Sequence, residues 1–304
     1  SRSVAKNFSA INKLKKKFSI IKKNNTGKTL TGLKLKLFCK DCDAIIVGLE
    51  KLDQNFIDGC PKLKVIGKYG VGLNNLDIDY IGKKKIKLLL QPGINKRAVS
   101  ELIIAMMINC YRNIITNVND VKLGLWPSPT GELLSGKKIG IIGCGNIGKD
   151  IIKILKPFNC ELLVNDINPN IKYFKSKKIK NTRLDAIFSK VDIATIHVPY
   201  NKKNHNFIFK KMFKKIKKKN FILINTSRGN LVNENHLHNF LLKNPKSKAF
   251  FDVFSVEPPK NKNLLKLKNF FLTSHIGGSA KEIIKLAGLD CANKINKNIW
   301  KSFI

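Results

Sequence analysis

The chain has 304 residues, a mass of 34.3 kDa and 43% hydrophobic content, enough for two domains with a core in each, which excludes disorder as its main state. The most apolar stretch, residues 99–115, is broken by Glu101, Asn109, Arg112 and Asn113, so no membrane span is expected. Lysine and arginine total 58 against 20 acids, a net charge of +38 that raises the question of nucleic acid. Only five of the basic residues are arginine (Arg2, Arg97, Arg112, Arg183 and Arg228), whereas specific phosphate and base recognition leans on arginine's planar fork. Lysine is scattered through every segment, as a composition bias on solvated faces would place it, so neither a specific nucleic-acid partner nor a membrane partner is expected.

In chain order, short apolar runs at 18–21, 44–47, 64–66 and 86–90 read as strands separated by helices or turns. After the Pro92-Gly93 breaker, residues 98–115 read as a long, largely buried helix crossing between domains. A turn-rich stretch at 124–136 holds Trp126, Pro127, Pro129 and Gly131, and six further strands are predicted at 138–142, 161–165, 192–196, 221–225, 249–253 and 270–273. The lysine-dense residues 210–219, interleaved with Met212, Phe213 and Ile216, read as an amphipathic surface helix. Strands alternating with helices predict an α/β fold of two Rossmann-like domains with doubly wound parallel sheets. Residues 1–94 and 278–304 would form a discontinuous substrate domain and residues 95–277 the nucleotide domain.

Seven cysteines (39, 42, 60, 110, 144, 160 and 291) form an odd set in mostly apolar segments, which fits a reducing, cytoplasmic setting better than a disulfide scaffold. Cys39-Lys-Asp-Cys42 has CxxC spacing, but a zinc site needs a second pair, and no metal is expected. The nucleotide motif is stronger. Gly143-Cys-Gly145-Asn146-Ile147-Gly148 lies between a buried strand and a helix at 147–155. Gly143 would make the tight turn, Gly145 would admit a pyrophosphate, Gly148 would let helix and strand pack, and the helix N-terminus would donate N–H groups to the phosphates. Asp166, 18 residues after Gly148 and at the end of the next strand, can bind both ribose hydroxyls, which favours NAD over NADP.

Four later segments, His197-Val-Pro199-Tyr, Ile224-Asn-Thr226-Ser-Arg228-Gly229, Phe251-Asp252-Val-Phe-Ser-Val-Glu257-Pro258 and Thr273-Ser-His275-Ile-Gly277-Gly, resemble the D-isomer-specific 2-hydroxyacid dehydrogenases, the family that includes phosphoglycerate dehydrogenase. The resemblance covers nearly the whole chain and implies an NAD-dependent enzyme acting in the cleft between two domains. It implies a catalytic set of Arg228, Glu257 and His275. The chemistry calls for the same residue types: an arginine fork to hold a carboxylate and the C2 oxygen, a histidine to exchange the hydroxyl proton as hydride moves, and a carboxylate to orient that histidine. Glu257 also sets the chain apart from the formate dehydrogenase branch, which has glutamine there.

By the same resemblance, Asp252 lies near the nicotinamide carboxamide, His197 and Pro199 shape the loop over the cofactor, and Thr226 and Gly277 belong to the cofactor site. In the first domain, Lys68-Tyr69-Gly70-Val71-Gly72 resembles the loop whose N–H groups meet the substrate carboxylate, and Asn95, expected to cap the interdomain helix, is counted with it. His205, His236 and His238 match no role and are expected at the surface. Residues 47–51 lack the arginine that the phosphoglycerate branch offers to phosphate, although Lys51 or Lys68 could take its place. Ser274 stands where proline is frequent, the strand expected before Ser1 is missing, and the short run after Trp300 implies a form without a regulatory domain. The expected function is hydride transfer between the nicotinamide and a D-2-hydroxy or 2-oxo acid, 3-phosphoglycerate or a related small acid, in a homodimer formed through the Trp126 arm. The alternative is an NADH-sensing protein resembling the C-terminal-binding corepressors, with little turnover.

Overall fold

A computed structural model of the chain describes residues 1–299, so the expectation tied to Trp300 lies outside the described residues. The chain divides into two compact units, one of Ser1–Asn95 continued from Gly278, the other of Lys96–Gly277.

The first unit holds three parallel strands, β1 (Ala44–Val47), β2 (Val65–Lys68) and β3 (Lys87–Leu89), in the order β1-β2-β3. The central strand β2 is buried at all four positions and sends alternate side chains to opposite faces, as a covered parallel strand must. Ile66 packs with Leu35, Phe56 and Ile81 on one face. Val65 packs on the other with Ala10 and Leu14, from the helix Phe8–Lys15, and with Ala292 and Ile295, from the helix Lys281–Asn298. Asn7 joins those two helices: its Oδ1 caps the first at Ala10 N, 3.1 Å, and its Nδ2 donates to Lys285 O, also 3.1 Å.

The strand predicted at 18–21 does not form. These residues are irregular and pair with no strand among the described residues, Ile20 is 79% exposed, and the segment, like β1, lines a cavity of about 660 Å³. The amino group of Ser1 reaches this cavity and donates to Ile46 O at 2.6 Å.

The second unit carries six parallel strands: β4 (Lys138–Ile142), β5 (Glu161–Asn165), β6 (Ile193–Ile196), β7 (Ile222–Asn225), β8 (Lys248–Phe251) and β9 (Phe270–Leu272), in the order β5-β4-β6-β7-β8-β9. Period-two burial again sorts the side chains. Ile139, Ile141, Ile193, Ile222, Ile224 and Phe250 meet the helices Lys96–Arg112 and Asn146–Leu155 on one face. Ile142, Ala194, Ile196, Leu223, Ala249 and Phe251 meet the helices Leu184–Lys190 and Glu234–Lys243 on the other. The sequence order turns back at β4, which lies between β5 and β6, so the sheet has a switch point beside the carboxyl end of β4.

Two helices differ from expectation. The helix predicted to reach residue 115 ends at Arg112, because Asn113 is left-handed (φ 54°) and the Lys248 ammonium takes the Cys110 carbonyl; a second helix, Ile114–Lys122, leaves at 62°. Among the described residues no single helix is long and apolar enough to cross a membrane. The lysine-rich stretch 210–219 is helical only over Lys210–Phe213; Met212 and Phe213 are buried, and the chain then turns to enter β7, with Lys218 paired to Asp192 at 3.0 Å.

Candidate active site

The cofactor cradle starts where β4 ends. Gly143 adopts φ 97°, donates its N–H to Asn165 O at 2.7 Å, and would place a Cβ 2.7 Å from His197 O, so only glycine fits this turn. Gly145 precedes the helix Asn146–Leu155 and has nothing within 4 Å of a Cβ, which leaves its backbone open to a ligand. A Cβ on Gly148 would run into Gly143 O, so this glycine sets how closely helix and strand approach. Asn146 and Ile147 open the helix, and the unsatisfied N–H groups there suit a pyrophosphate. At the end of β5, the Asp166 carboxylate accepts from Cys144 N at 2.7 Å and Asn168 N at 2.8 Å, which fixes it beside the glycine turn.

His197, Pro199 and Thr226 follow β6 and β7. His197 Nε2 meets Thr195 Oγ1 at 2.9 Å, while its Nδ1, like Thr226 Oγ1, is buried without a partner among the described residues. Burial pushes the His197 pKa down to about 3, so the ring is neutral. Pro199 is exposed, and its carbonyl accepts from Asn204 Nδ2 at 2.8 Å. Open glycine backbone, a fixed acid and orphaned polar atoms at adjacent strand ends fit a dinucleotide lying across the switch point.

Arg228 follows β7 in a turn braced by Asn225, whose side chain donates to Arg228 O at 3.0 Å and accepts from Ser227 N at 3.1 Å. The guanidinium is half-buried, donates from Nη1 to Ser227 O at 2.6 Å, and has no acid within ion-pairing distance among the described residues. Burial lowers its pKa from the ordinary value, and the charge of Glu257 opposes that shift. Glu257 meets His275 Nδ1 at 2.8 Å through Oε2, and its Oε1 accepts from Phe254 N at 3.2 Å. An ionised carboxylate only accepts, so Nδ1 carries the proton and Nε2 is left for a reacting group.

His275 sits at φ 56° in the loop after β9. Asp252, 1% exposed after β8, accepts from Thr273 Oγ1 at 2.6 Å, Ile276 N at 2.7 Å and Gly277 N at 2.8 Å. Thr273 and the Asn225 brace are contributors that the sequence did not single out. An Asn ending a strand before Thr-Ser-Arg-Gly is an Asx-turn signal and could have identified the second.

In the first unit, Tyr69 follows β2 and donates its N–H to Val47 O at 2.8 Å, and burial raises its phenol pKa. Gly70 turns the chain at φ 88°; Val71 is exposed and Gly72 half-buried. Lys68 is only 3% exposed, its ammonium held by the Gly48 carbonyl, whereas Lys51 is exposed and paired with Asp53 at 3.4 Å. Asn95 directly precedes the helix Lys96–Arg112. His205 is exposed as expected, but His236 and His238 are half-buried because their helix packs one face on the sheet.

Residues 104–277 match the family model described as the NAD-binding domain of D-isomer specific 2-hydroxyacid dehydrogenases. A hydroxypyruvate reductase of Thermotoga maritima is 31% identical over 265 residues, covering 85% of each chain. A D-3-phosphoglycerate dehydrogenase of Methanocaldococcus jannaschii is 34% identical over 264 residues, covering 85% of this chain and 50% of that one. The fold matches the crystal structure of a D-lactate dehydrogenase from Aquifex aeolicus, complexed with NAD and lactic acid, with a TM-score of 0.78 at 24% identity over 88% of this chain and 86% of that one. With two Rossmann-like domains and an NAD-binding domain of this type, the chain belongs to the D-isomer specific 2-hydroxyacid dehydrogenases, NAD-dependent oxidoreductases acting on CH–OH groups.

Proposed function

We propose that the enzyme interconverts a small, unphosphorylated 2-oxo acid and the matching D-2-hydroxy acid. The observation that carries this is Arg228, a half-buried guanidinium with no acidic partner among the described residues, at a strand end as the His275–Glu257 pair is. A buried cation without a counter-ion invites an anion, and its fork of donors suits a carboxylate together with the adjacent C2 oxygen. His275 Nε2 passes its proton to that oxygen during reduction and takes it back during oxidation, while Glu257 stabilises the charged imidazole. The nicotinamide, when bound, supplies or accepts the hydride at C2.

Two facts favour a substrate without a phosphate ester. Residues 47–51 contain no arginine, and of the two lysines that could replace one, Lys68 is buried with its ammonium committed to a backbone carbonyl. The hydroxypyruvate reductase of Thermotoga maritima, matched over 85% of its own length, agrees with this size class. We further propose a homodimer, supported by the apolar exposure of Val118, Leu123, Leu125 and Trp126, the last 85% exposed; light scattering of the purified protein tests it.

The functional test follows NADH absorbance with glyoxylate, hydroxypyruvate, pyruvate and phosphohydroxypyruvate. The expected result is turnover of one or more of the first three, faster than of the phosphorylated acid, and a fall of roughly 10²- to 10⁴-fold in kcat for His275→Ala. Turnover no better than that of His275→Ala on every acid, with NADH bound, would overturn the proposal.

A further inference from the structure

We propose that Asp252 is a positioning residue that holds His275 in its reactive backbone conformation, a role that rests on the proposed part of His275 in proton transfer. The three donors to its carboxylate come from Thr273, Ile276 and Gly277, so they bracket His275 on both sides. His275 is left-handed at φ 56°, a conformation that an L residue with a bulky side chain seldom holds without support from its surroundings. In this bend the ring places Nδ1 on Glu257 at 2.8 Å. Asp252 is itself anchored, since it is 1% exposed and its backbone N–H donates to Asn225 O at 2.9 Å. The loop is seated tightly on it: a Cβ on Gly277 would lie 3.0 Å from Asp252 Oδ2.

The arrangement requires a carboxylate. Oδ1 accepts two hydrogen bonds, from Thr273 Oγ1 and Ile276 N, and Oδ2 accepts one, from Gly277 N. An asparagine of the same shape accepts on one side only, and its NH₂ would face an N–H or O–H donor on the other. The remaining lone pair on Oδ2 is compatible with a cofactor contact, so the two roles of Asp252 coexist and can be separated through Thr273, which touches the carboxylate from the loop side.

The experiment compares Thr273→Val, Thr273→Ser, Asp252→Asn and His275→Ala as full-length enzymes, measuring kcat and, separately, NADH affinity by fluorescence. The expected result is a fall in kcat of roughly 10-fold for Thr273→Val, with NADH affinity within about 2-fold of wild type, and recovery in Thr273→Ser, which restores the hydroxyl. Asp252→Asn should lose about 10²-fold in kcat, the usual scale for a misplaced reacting group. If Asp252 served the cofactor alone, Thr273→Val would be silent and Asp252→Asn would act through NADH affinity; either outcome overturns the proposal. Should Asp252→Asn fail to fold, the two Thr273 variants still decide. A silent Thr273→Val beside an inactive His275→Ala refutes the positioning role alone, whereas an active His275→Ala refutes the proton-transfer role on which it rests.

Discussion

Replacing Arg228 separates the binding of an anionic substrate from a role in holding the fold. Had the guanidinium been half of a buried ion pair, its removal would strand a charge and cost about 3–5 kcal/mol. Among the described residues it has no such partner: its side chain makes one hydrogen bond there, to Ser227 O at 2.6 Å, and burial disfavours its charge. Arg228→Ala therefore loses one charge-assisted bond of about 1.5–3 kcal/mol and regains part of that from relieved desolvation. Net stability should change by no more than about 1–2 kcal/mol, a shift of a few degrees in Tm.

Activity should respond far more. Two hydrogen bonds, to the substrate carboxylate and to the C2 oxygen, at about 1.5–3 kcal/mol each, total about 3–6 kcal/mol, or roughly 10²- to 10⁴-fold in kcat/KM. Arg228→Lys keeps the charge but not the fork and should lose about 10- to 10²-fold. Thermal unfolding and NADH-linked kinetics on the same preparations give both quantities. An Arg228→Ala enzyme that keeps kcat/KM within a few-fold, or that loses more than about 10 °C in Tm, would refute the reasoning.

Three further variants probe the cofactor side. Gly143→Ala imposes a side chain at φ 97° and sets a Cβ 2.7 Å from His197 O; strain of about 1–3 kcal/mol and a similar overpacking cost predict a lower Tm and NADH affinity down at least ~10-fold, and unchanged NADH affinity by fluorescence would count against the cradle. Asp166→Ala removes the acceptor fixed at 2.7 Å from Cys144 N and should weaken NADH by roughly 10-fold while narrowing its advantage over NADPH; an unaltered NADH-to-NADPH preference would show that the acid does not read the ribose. His197 has its pKa pushed down to about 3 from 6.5, so the unfolded chain binds a proton there first as pH falls. That stabilisation is complete above about 6.5 and is lost progressively between 6.5 and 3, at up to ~1.4 kcal/mol per pH unit, so denaturant titrations of His197→Gln should show a flatter acid limb, and an acid limb like that of the wild type would rule the effect out.

What could be read from the sequence follows from how each feature is encoded. Parallel strands covered on both faces appear as continuous apolar runs, so β4 and β5 lie where they were expected to the residue, and the later strands are displaced by only one or two positions. Residues 18–21 show the limit of that signal: an apolar run becomes a strand only if a neighbour offers a free ladder, and among the described residues none pairs with it. The long helix stops at Arg112 through a contact with Lys248, 138 residues away from Cys110, which no local pattern carries. The same division runs through the site. Arg228, Glu257 and His275 could be proposed as the catalytic set from the sequence because few residue types can do that chemistry, whereas the Thr273 and Asp252 strap depends on loops brought together across 21 residues.

The charge excess illustrates the difference most directly. Against 58 basic residues the five arginines stand out by count, but count alone does not tell them apart. Arg97 pairs with Asp150 at 3.0 Å and Arg183 with Asp185 at 3.2 Å; Arg2, Arg112 and Arg228 have no acid within ion-pairing distance among the described residues, and of these three only Arg228, at the carboxyl end of β7, is half-buried rather than exposed. Rarity marks it in the sequence, but half-burial without a counter-ion, visible only once the chain is folded, is what suits it to the proposed hold on an anionic substrate.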